Sequence, residues 1–371
     1  QTTALDNLMG NAELRAAMGE RGRAYVLSNF TAERIKGKLI AAVESCVSSF
    51  SAKSQQDSST PIAVPPPPEA PPQHYVEPKS LELSYTSAQP LPAGWTESAL
   101  REFVTSIQVE DGPEAELKNY ANDDFKRFIY TLGLVPQEAN LRILELGANP
   151  FFTTTLLRKF RQAELHLANF FADGKAAEGN QNVTIHQTGE VINYRFKHFN
   201  VETDVFPYPD DMFDVVLFCE ILEHLIKDPV HALAEIKRVL KPGGTLIVTT
   251  PNVVRLENLR KMITGKNIYD PYSGYGPYGR HNREYTQEDL FGLLSTNGFQ
   301  VSSIFTADVH PDQLDDSPSS DQIDPFVRGR RAQLGQYIFC KSNLKSDAKN
   351  LAPVRPDWLY RSMPRTKEET A

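Results

Sequence analysis

The sequence ILELGANPFF, residues 143–152, decides how the rest of the chain is interpreted. A short apolar run contains Glu145 and ends at Gly147, which is the pattern of a buried strand followed by a tight turn. Gly147 allows a ligand to approach the backbone closely, but Asn149 and Pro150 stand where further glycines would make the loop more permissive. The stretch predicts a ligand-binding loop at a strand end, provided that neighbouring segments supply a sheet.

Strand and helix patterns alternate after this loop, as expected for a sheet covered by helices on both faces. Two helical stretches, ESALREFVTSI and AELKNYANDDFKRFIYTLGL, precede the alternation. The last two strand patterns follow each other without a long helix between them, which predicts an antiparallel final strand. The strand patterns are RILELG, LHLANF, VINYRFKHFN, FDVVLFCE, GTLIVTTP, QVSSIFTA and GQYIFCKS.

The composition narrows the class of partner and the compartment. The chain has 371 residues and a formal net charge of −8, so a broad nucleic-acid face, which needs clustered Lys and Arg, is not expected. The three cysteines lie far apart and form no disulfide framework or zinc motif, which favours a reducing, cytoplasmic compartment. No apolar run approaches the roughly 18 residues of a transmembrane span, and no signal-peptide pattern is present.

Changes in composition divide the chain into four predicted segments. Residues 1–50 contain two amphipathic helical patterns. Residues 51–90 are rich in Pro, Ser and Gln and cannot bury enough apolar surface to offset the entropy of ordering, so we expect a disordered linker. Residues 91–343 form the α/β domain, and residues 344–371 are expected to be a loose polar tail.

The first helical segment resembles a known family. Its run NAELRAAMGERGRAYVLSNF, residues 11–30, is similar to the C-terminal helices of two-lobed retaining glycosyltransferases. The resemblance implies fusion to, or association with, a glycosyltransferase, and a generic helical hairpin is the alternative. No catalytic residue is assigned to this segment.

Polar side chains follow four of the predicted strands at their carboxyl ends, where open α/β sheets bind ligands. After the first strand, Glu145 can accept hydrogen bonds from a charged amino group or order the loop. Asn169 ends the second strand, where nucleoside-binding folds place an acid for the ribose hydroxyls. Asn200 or Glu202 follows the third strand, in position to contact an adenine amino group. The remaining candidates are Gly147, Ala148 and Asn149 in the first loop, with Cys219, Glu220 and His224 after the fourth strand.

These motifs, in this order, resemble the class I S-adenosylmethionine-dependent methyltransferases. The resemblance covers residues about 95–345 and rests on LELGA, FPYPDDMFDVVLFCEILEHL, EIKRVLKPGG and TTPN. It implies a Rossmann-like, mostly parallel seven-stranded sheet with an antiparallel last strand, and S-adenosyl-L-methionine lying across the strand ends. Glu145, Gly147 and Asn149 match its first motif. Asn169 matches the ribose position, and Cys219 and Glu220 match the position under the methionine portion. Glu202 matches the adenine-side acid, and counting back from the fourth strand favours it over Asn200.

Two departures from the family pattern concern the cofactor loop. Ala148, Asn149 and Pro150 replace further glycines, and Asn169 replaces an acid. S-adenosylmethionine has no pyrophosphate, so the glycines that admit one are less necessary, and an Asn side chain still accepts and donates hydrogen bonds. We therefore expect this loop to hold S-adenosylmethionine rather than a dinucleotide. The alternative is a copy of the fold that binds no cofactor.

The segment YDPYSGYGPYGRHNREYT, residues 269–286, is the predicted acceptor region because it is dense in Tyr, Gly and ionisable side chains. His281 is the predicted general base, since an unperturbed His titrates near pH 6.5 and can take a proton from a hydroxyl. Tyr285 and Glu220 are its rivals. His224, in the loop after the fourth strand, is a further catalytic candidate, although it is expected rather to position the cofactor or a helix start. No metal is predicted from these residues.

The predicted function is O-methylation of a sugar or glycoconjugate, because the glycosyltransferase-like segment is the sole indication of a substrate. The acceptor would be a small molecule or glycan. A small-molecule or lipid/quinone methyltransferase is one alternative, and a catalytically dead fold that serves as a scaffold for a glycosyltransferase is another. Base methylation of nucleic acid is not expected, because Cys219-Glu-Ile-Leu222 stands where such enzymes have an Asn/Asp-Pro-Pro-aromatic motif.

Overall fold

The computed structural model describes Glu20, residues 83–311 and residues 320–360. The chain divides into two compact units, residues 1–70 and 71–371, and the second contains the α/β domain. The glycosyltransferase-like helices and most of the predicted linker lie outside the described residues.

The described domain is built on one sheet of ten strands. In spatial order the strands are β1-β9-β10-β8-β7-β3-β4-β6-β5-β2. Their bounds are β1 Ser84–Tyr85, β2 Ile107–Val109, β3 Leu141–Leu146, β4 Ala163–Asn169, β5 Glu178–Ile185, β6 Glu190–His198, β7 Phe213–Cys219, β8 Leu240–Pro251, β9 Phe299–Ala307 and β10 Tyr337–Leu344.

The seven strands expected from the sequence are contiguous within this sheet, in the order β6-β4-β3-β7-β8-β10-β9. β10 runs antiparallel to both of its neighbours, as predicted, and the five strands from β6 to β8 are parallel. The predicted number of seven strands is wrong, because β1 extends the sheet at one edge and β5 and β2 extend it at the other. β5 was missed because its sequence, EGNQNVTI, is mostly polar, and β2 because it has three residues directly after a helical pattern.

Helices cover both faces of the sheet. Side chains alternate along β3, so that Ile143 packs in one core and Leu144 and Leu146 pack in the other. The helices are α1 Glu97–Thr105, α2 Glu114–Asp123, α3 Phe125–Leu134, α4 Phe152–Phe160, α5 Pro229–Val239, α6 Leu256–Ile263, α7 Gln287–Thr296 and α8 Ser320–Val327. None of the helices in the described ranges is long and apolar enough to cross a membrane.

The two predicted boundary segments differ from the structure where it describes them. β1 lies within the predicted linker and pairs with β9. The predicted tail is packed up to residue 360: the ammonium group of Lys349 donates to the carbonyl oxygens of Lys237 and Arg238 at 2.9 and 2.8 Å, at the end of α5. The polar composition of this segment did not predict its packing, because hydrogen bonds and ion pairs hold it rather than a large apolar face.

Candidate active site

The loop after β3 is tied to the end of β4. Gly147 has φ +68°, which a glycine adopts without strain. The backbone N–H groups of Gly147 and Ala148 both donate to the carbonyl oxygen of Ala168, at 2.9 and 3.2 Å. The N–H of Asn149 donates to Oδ1 of Asn169 at 2.8 Å. The two strand ends that were predicted to bind one ligand are therefore adjacent.

A cavity of about 160 Å³ opens beside this loop at the carboxyl ends of the parallel strands. Asn169 lines it and is 4% exposed, and its Nδ2 has no hydrogen-bond partner among the described residues. A buried amide donor without a partner is uncommon in folded proteins and marks a place where a ligand can supply an acceptor. The other predicted residues that line the cavity are Gly147, Asn200, Glu220 and His224.

Glu145 lies behind the loop rather than on the cavity wall. Its side chain is buried, and Oε2 accepts a hydrogen bond of 2.6 Å from the hydroxyl of Thr154 in α4. Burial raises the pKa of Glu145 to about 8, and the hydrogen bond from Thr154 opposes part of that rise. Glu145 thus connects the strand end to α4.

The structure places Asn200, and not the favoured Glu202, on the cavity wall. Asn200 lines the cavity, whereas the Oε1 atom of Glu202 accepts the backbone N–H groups of residues 226–228. Its Oε2 atom accepts a hydrogen bond of 2.8 Å from the hydroxyl of Tyr278, which also accepts one from Nδ2 of Asn200 at 3.1 Å. The chain turns after Asn200, where the N–H of Asp204 donates to the carbonyl oxygen of Asn200 at 2.9 Å, and directs Glu202 towards another loop.

Glu220 lines the cavity, but its neighbour Cys219 does not. The carboxylate of Glu220 accepts a hydrogen bond of 2.7 Å from Thr249 and forms an ion pair of 3.1 Å with Arg127 of α3. Burial raises the pKa of Glu220, with a smaller contribution from the charge of Asp124, and outweighs the opposing effects of Arg127 and Thr249. Arg127 is itself buried and paired with Asp124 at 2.7 Å. Sequence reasoning missed Arg127 because nothing in a helical pattern marks which charged residue turns inward.

A second cluster adjoins the cavity at His224. Glu223, His224 and His281 each offer one ligand atom, and these three atoms lie within 4.8 Å of one another. The ring centroids of the two histidines are 5.0 Å apart. The segment 269–286 therefore does return to the strand ends. From the sequence, Glu220 and Glu223 alone did not establish a metal site, and the structure adds His281 beside Glu223 and His224.

The structure argues against Tyr285 as a catalytic rival. Its side chain is 2% exposed and packs in the core that contains Leu144 and Phe218. Burial raises the pKa of Tyr285 well above its ordinary value, so it is held neutral. Tyr285 does not line the cavity.

Comparison with known proteins shows which family part of this domain is similar to. Residues 154–248 match the family described as methyltransferase domain. The sheet order and this match make the domain similar to the class I S-adenosylmethionine-dependent methyltransferases, and this similarity implies S-adenosyl-L-methionine as the cofactor.

Curated relatives match over parts of their length. The chain is 35% identical over 95 residues to a probable S-adenosylmethionine-dependent methyltransferase of Mycolicibacterium smegmatis, covering 26% of this chain and 32% of that protein. It is 32% identical over 149 residues to the ubiquinone/menaquinone biosynthesis C-methyltransferase of Proteus mirabilis, covering 39% and 53%. It is 32% identical over 96 residues to the human mitochondrial ubiquinone biosynthesis O-methyltransferase, covering 25% of each. The chain thus spans a quarter to about half of the length of these relatives.

Solved structures also align with the chain. An S-adenosylmethionine-dependent methyltransferase from Archaeoglobus fulgidus is 15% identical with a TM-score of 0.35, covering 66% of this chain and 95% of that one. One from Mesorhizobium loti is 14% identical with a TM-score of 0.34, covering 57% and 95%.

Proposed function

We propose that the protein transfers a methyl group from S-adenosylmethionine to a hydroxyl oxygen of a sugar or glycoconjugate. The observation that supports an oxygen acceptor is that Glu223, His224 and His281 lie together beside the cavity, which His224 lines. A hydroxyl has a high pKa, and its transfer chemistry benefits from groups that bind the oxygen and withdraw its proton.

The cavity residues fit the cofactor. The unpaired Nδ2 of Asn169 would donate to a ribose hydroxyl, and Asn200 would contact the adenine. S-adenosylmethionine, when bound, supplies a methyl group on a sulfonium, so proximity and alignment are the main requirements for transfer. Glu220, fixed by Thr249 and Arg127, would lie under the methionine portion.

Exposed tyrosines support an acceptor with a sugar ring. Tyr269, Tyr272 and Tyr275 are 80%, 91% and 92% exposed within the acceptor segment. Aromatic rings combine a flat apolar face with a polar edge, which suits a ring that carries both C–H groups and hydroxyls. The glycosyltransferase resemblance of residues 1–50 supports the same acceptor, and residues 91–343 remain the proposed catalytic domain.

A small-molecule or quinone-precursor acceptor is the second candidate. It is favoured by the relatives, because two of those described above are named for ubiquinone biosynthesis. A third proposal, a scaffold for a glycosyltransferase without catalysis, differs from both because it needs no cofactor.

Two experiments test these proposals in sequence. Calorimetric titration with S-adenosylmethionine should give saturable binding, and its absence in folded protein would favour the scaffold. Methyl transfer from labelled cofactor should then be measured on nucleotide sugars, glycans and hydroxylated quinone precursors. Label found in a sugar methyl ether supports the first proposal, and label confined to the aromatic acceptors overturns it in favour of the second.

The base assignment has its own test. His281→Ala is expected to lower turnover at least 100-fold, within the range of general-base effects, while cofactor affinity stays within about threefold. His231→Ala is the matched control, because His231 is a histidine outside the cavity that contacts the carbonyl oxygen of Asp204. Turnover of His281→Ala equal to that of the control would remove His281 from the chemistry.

A further inference from the structure

The cluster of Glu223, His224 and His281 has the composition of a metal site. Its three ligand atoms lie within 4.8 Å of one another, and Nε2 of His224 is 3.8 Å from Oε1 of Glu223. Two imidazoles and one carboxylate are a ligand set that proteins use for zinc and for other divalent transition metals.

Each imidazole is oriented by a partner outside the cluster. Nδ1 of His224 is 3.0 Å from the carbonyl oxygen of Arg280, so it carries the proton and leaves Nε2 with a free lone pair. Nδ1 of His281 is 2.9 Å from Oε1 of Glu284, and Arg255 in turn pairs with Glu284. Metal-binding histidines are commonly held in this way, with the other ring nitrogen donating to a carbonyl or carboxylate.

Glu223 provides an independent observation that points to a ligand. The residue has no exposed surface, and its Oε2 atom accepts a hydrogen bond of 2.9 Å from Thr250. Its Oε1 atom, the one that faces His224, has no hydrogen-bond partner among the described residues. A buried carboxylate oxygen that lacks a partner is costly, and a bound cation would satisfy it.

We propose that Glu223, His224 and His281 bind one divalent transition-metal ion. Three protein ligands leave at least one coordination position open, and His224 places the site on the wall of the cavity. The site itself does not depend on the proposed function. Its role does: an acceptor hydroxyl in the open position would lose its proton to solvent more readily, because a bound cation stabilises the oxyanion. With the ion bound, His281 is a ligand, so the loss of turnover expected for His281→Ala would follow from the lost ion; in a protein without the ion it would follow from the lost base.

The test uses Co²⁺ as the probe, on the full chain freed of metal with a chelator. Visible absorption of bound Co²⁺ should saturate at one equivalent, and Zn²⁺ should displace it. His224→Ala and His281→Ala should each weaken Co²⁺ binding at least tenfold. Glu223→Gln, which keeps the shape of the side chain and a partner for Thr250, should weaken it likewise. His231→Ala should bind as the parent does.

The result that overturns the proposal is the absence of saturable Co²⁺ binding by the parent, or cluster variants that bind as His231→Ala does. Circular dichroism melting of every variant shows whether lost binding reflects unfolding, and an unfolded alanine variant leaves Glu223→Gln to decide. Titration with S-adenosylmethionine is carried out separately. Lost metal binding with retained cofactor binding therefore contradicts the metal site without contradicting the proposed function.

Discussion

Gly147 both adopts a positive φ and lines the cavity. A Cβ atom there would lie 3.1 Å from Cδ1 of Ile221, and the positive φ would strain any other side chain. We expect Gly147→Val to lower affinity for S-adenosylmethionine at least tenfold, measured by calorimetry, because the added side chain crowds the cavity. Gly189→Val is the matched control, since Gly189 has φ +74° and a Cβ atom added there would meet no atom within 4 Å. Similar affinity in the two folded variants would contradict a cofactor site at Gly147.

Asn200 and Glu202 should separate cofactor binding from stability. Glu202→Ala leaves three backbone N–H groups of residues 226–228 without their carboxylate, so the free energy of unfolding should fall by about 1.5–3 kcal/mol. Asn200→Ala should weaken S-adenosylmethionine binding with a smaller loss of stability. Denaturant titration and calorimetry measure the two effects. The reverse pattern would restore Glu202 as the adenine contact.

Glu145 should make stability depend on pH. Its folded-state pKa of about 8 lies above the ordinary value of 4.5, because burial disfavours the charged form. Between these two values the folded protein holds a proton that the unfolded chain has lost, so the free energy of unfolding falls as pH rises from about 4.5 to about 8. Glu145→Gln should remove the contribution of Glu145 to this fall, so the excess of the variant's free energy of unfolding over that of the parent should grow across that window and then level off. Chemical denaturation at pH 5, 7 and 9 measures it, and a constant difference would contradict the raised pKa.

At the scale of elements, Asp228 is the N-cap residue of α5 and also binds the segment after residue 344. Oδ1 of Asp228 accepts the N–H of Val230 at 3.2 Å and the hydroxyl of Tyr360 at 2.6 Å, and Oδ2 pairs with Arg355. Asp228→Ala should therefore cost more than the roughly 1 kcal/mol of an ordinary N-cap, in free energy of unfolding. Thr96→Ala, at the N-cap of α1, is the comparison. Equal losses would mean that the segment after residue 344 adds little stability.

The strands predicted from the sequence are those whose residues alone reveal burial. β7 and β8 are apolar runs because both of their faces are covered. Such a run predicts a buried strand even when the strand that pairs with it is unknown. β5 pairs with β6 through the backbone, and its buried side chains Val183 and Ile185 come late in a polar stretch. Backbone pairing leaves no mark on composition, so edge strands of this kind could not be predicted.

The candidate site, like the sheet, could be predicted only in part from the sequence. Gly147, Asn169, Asn200 and Glu220 follow strands directly, so the rule that ligands bind at carboxyl strand ends was sufficient to find them. Glu223 gains its significance from His281, which a long connection through the acceptor segment brings beside it. A contact between residues so distant in sequence depends on the fold of the loop, and the pattern of either segment alone does not contain it.

At the scale of the whole molecule, the described domain is expected to bind its cofactor without the preceding residues. All of the residues proposed to contact S-adenosylmethionine lie between Gly147 and Glu220, and β1 begins at Ser84. A chain that starts at residue 83 keeps β1 and its pairing with β9, so its affinity for S-adenosylmethionine should stay within about threefold of the parent. Because residues 51–82 are predicted to lack a core, limited proteolysis of the full chain should cut there first.

A second chain that starts at residue 91 is the matched comparison. It lacks β1 and the hydrogen bond from the hydroxyl of Tyr85 to Asp308, 3.0 Å long, so it should melt at a lower temperature than the chain that starts at 83. Its cofactor affinity should nevertheless be unchanged, because β1 pairs at the β9 edge of the sheet, whereas the proposed contacts follow β3, β4, β6 and β7. A loss of affinity in the chain that starts at 83 would show that residues 1–82 contribute to the cofactor site, and the domain boundaries would then have to be redrawn.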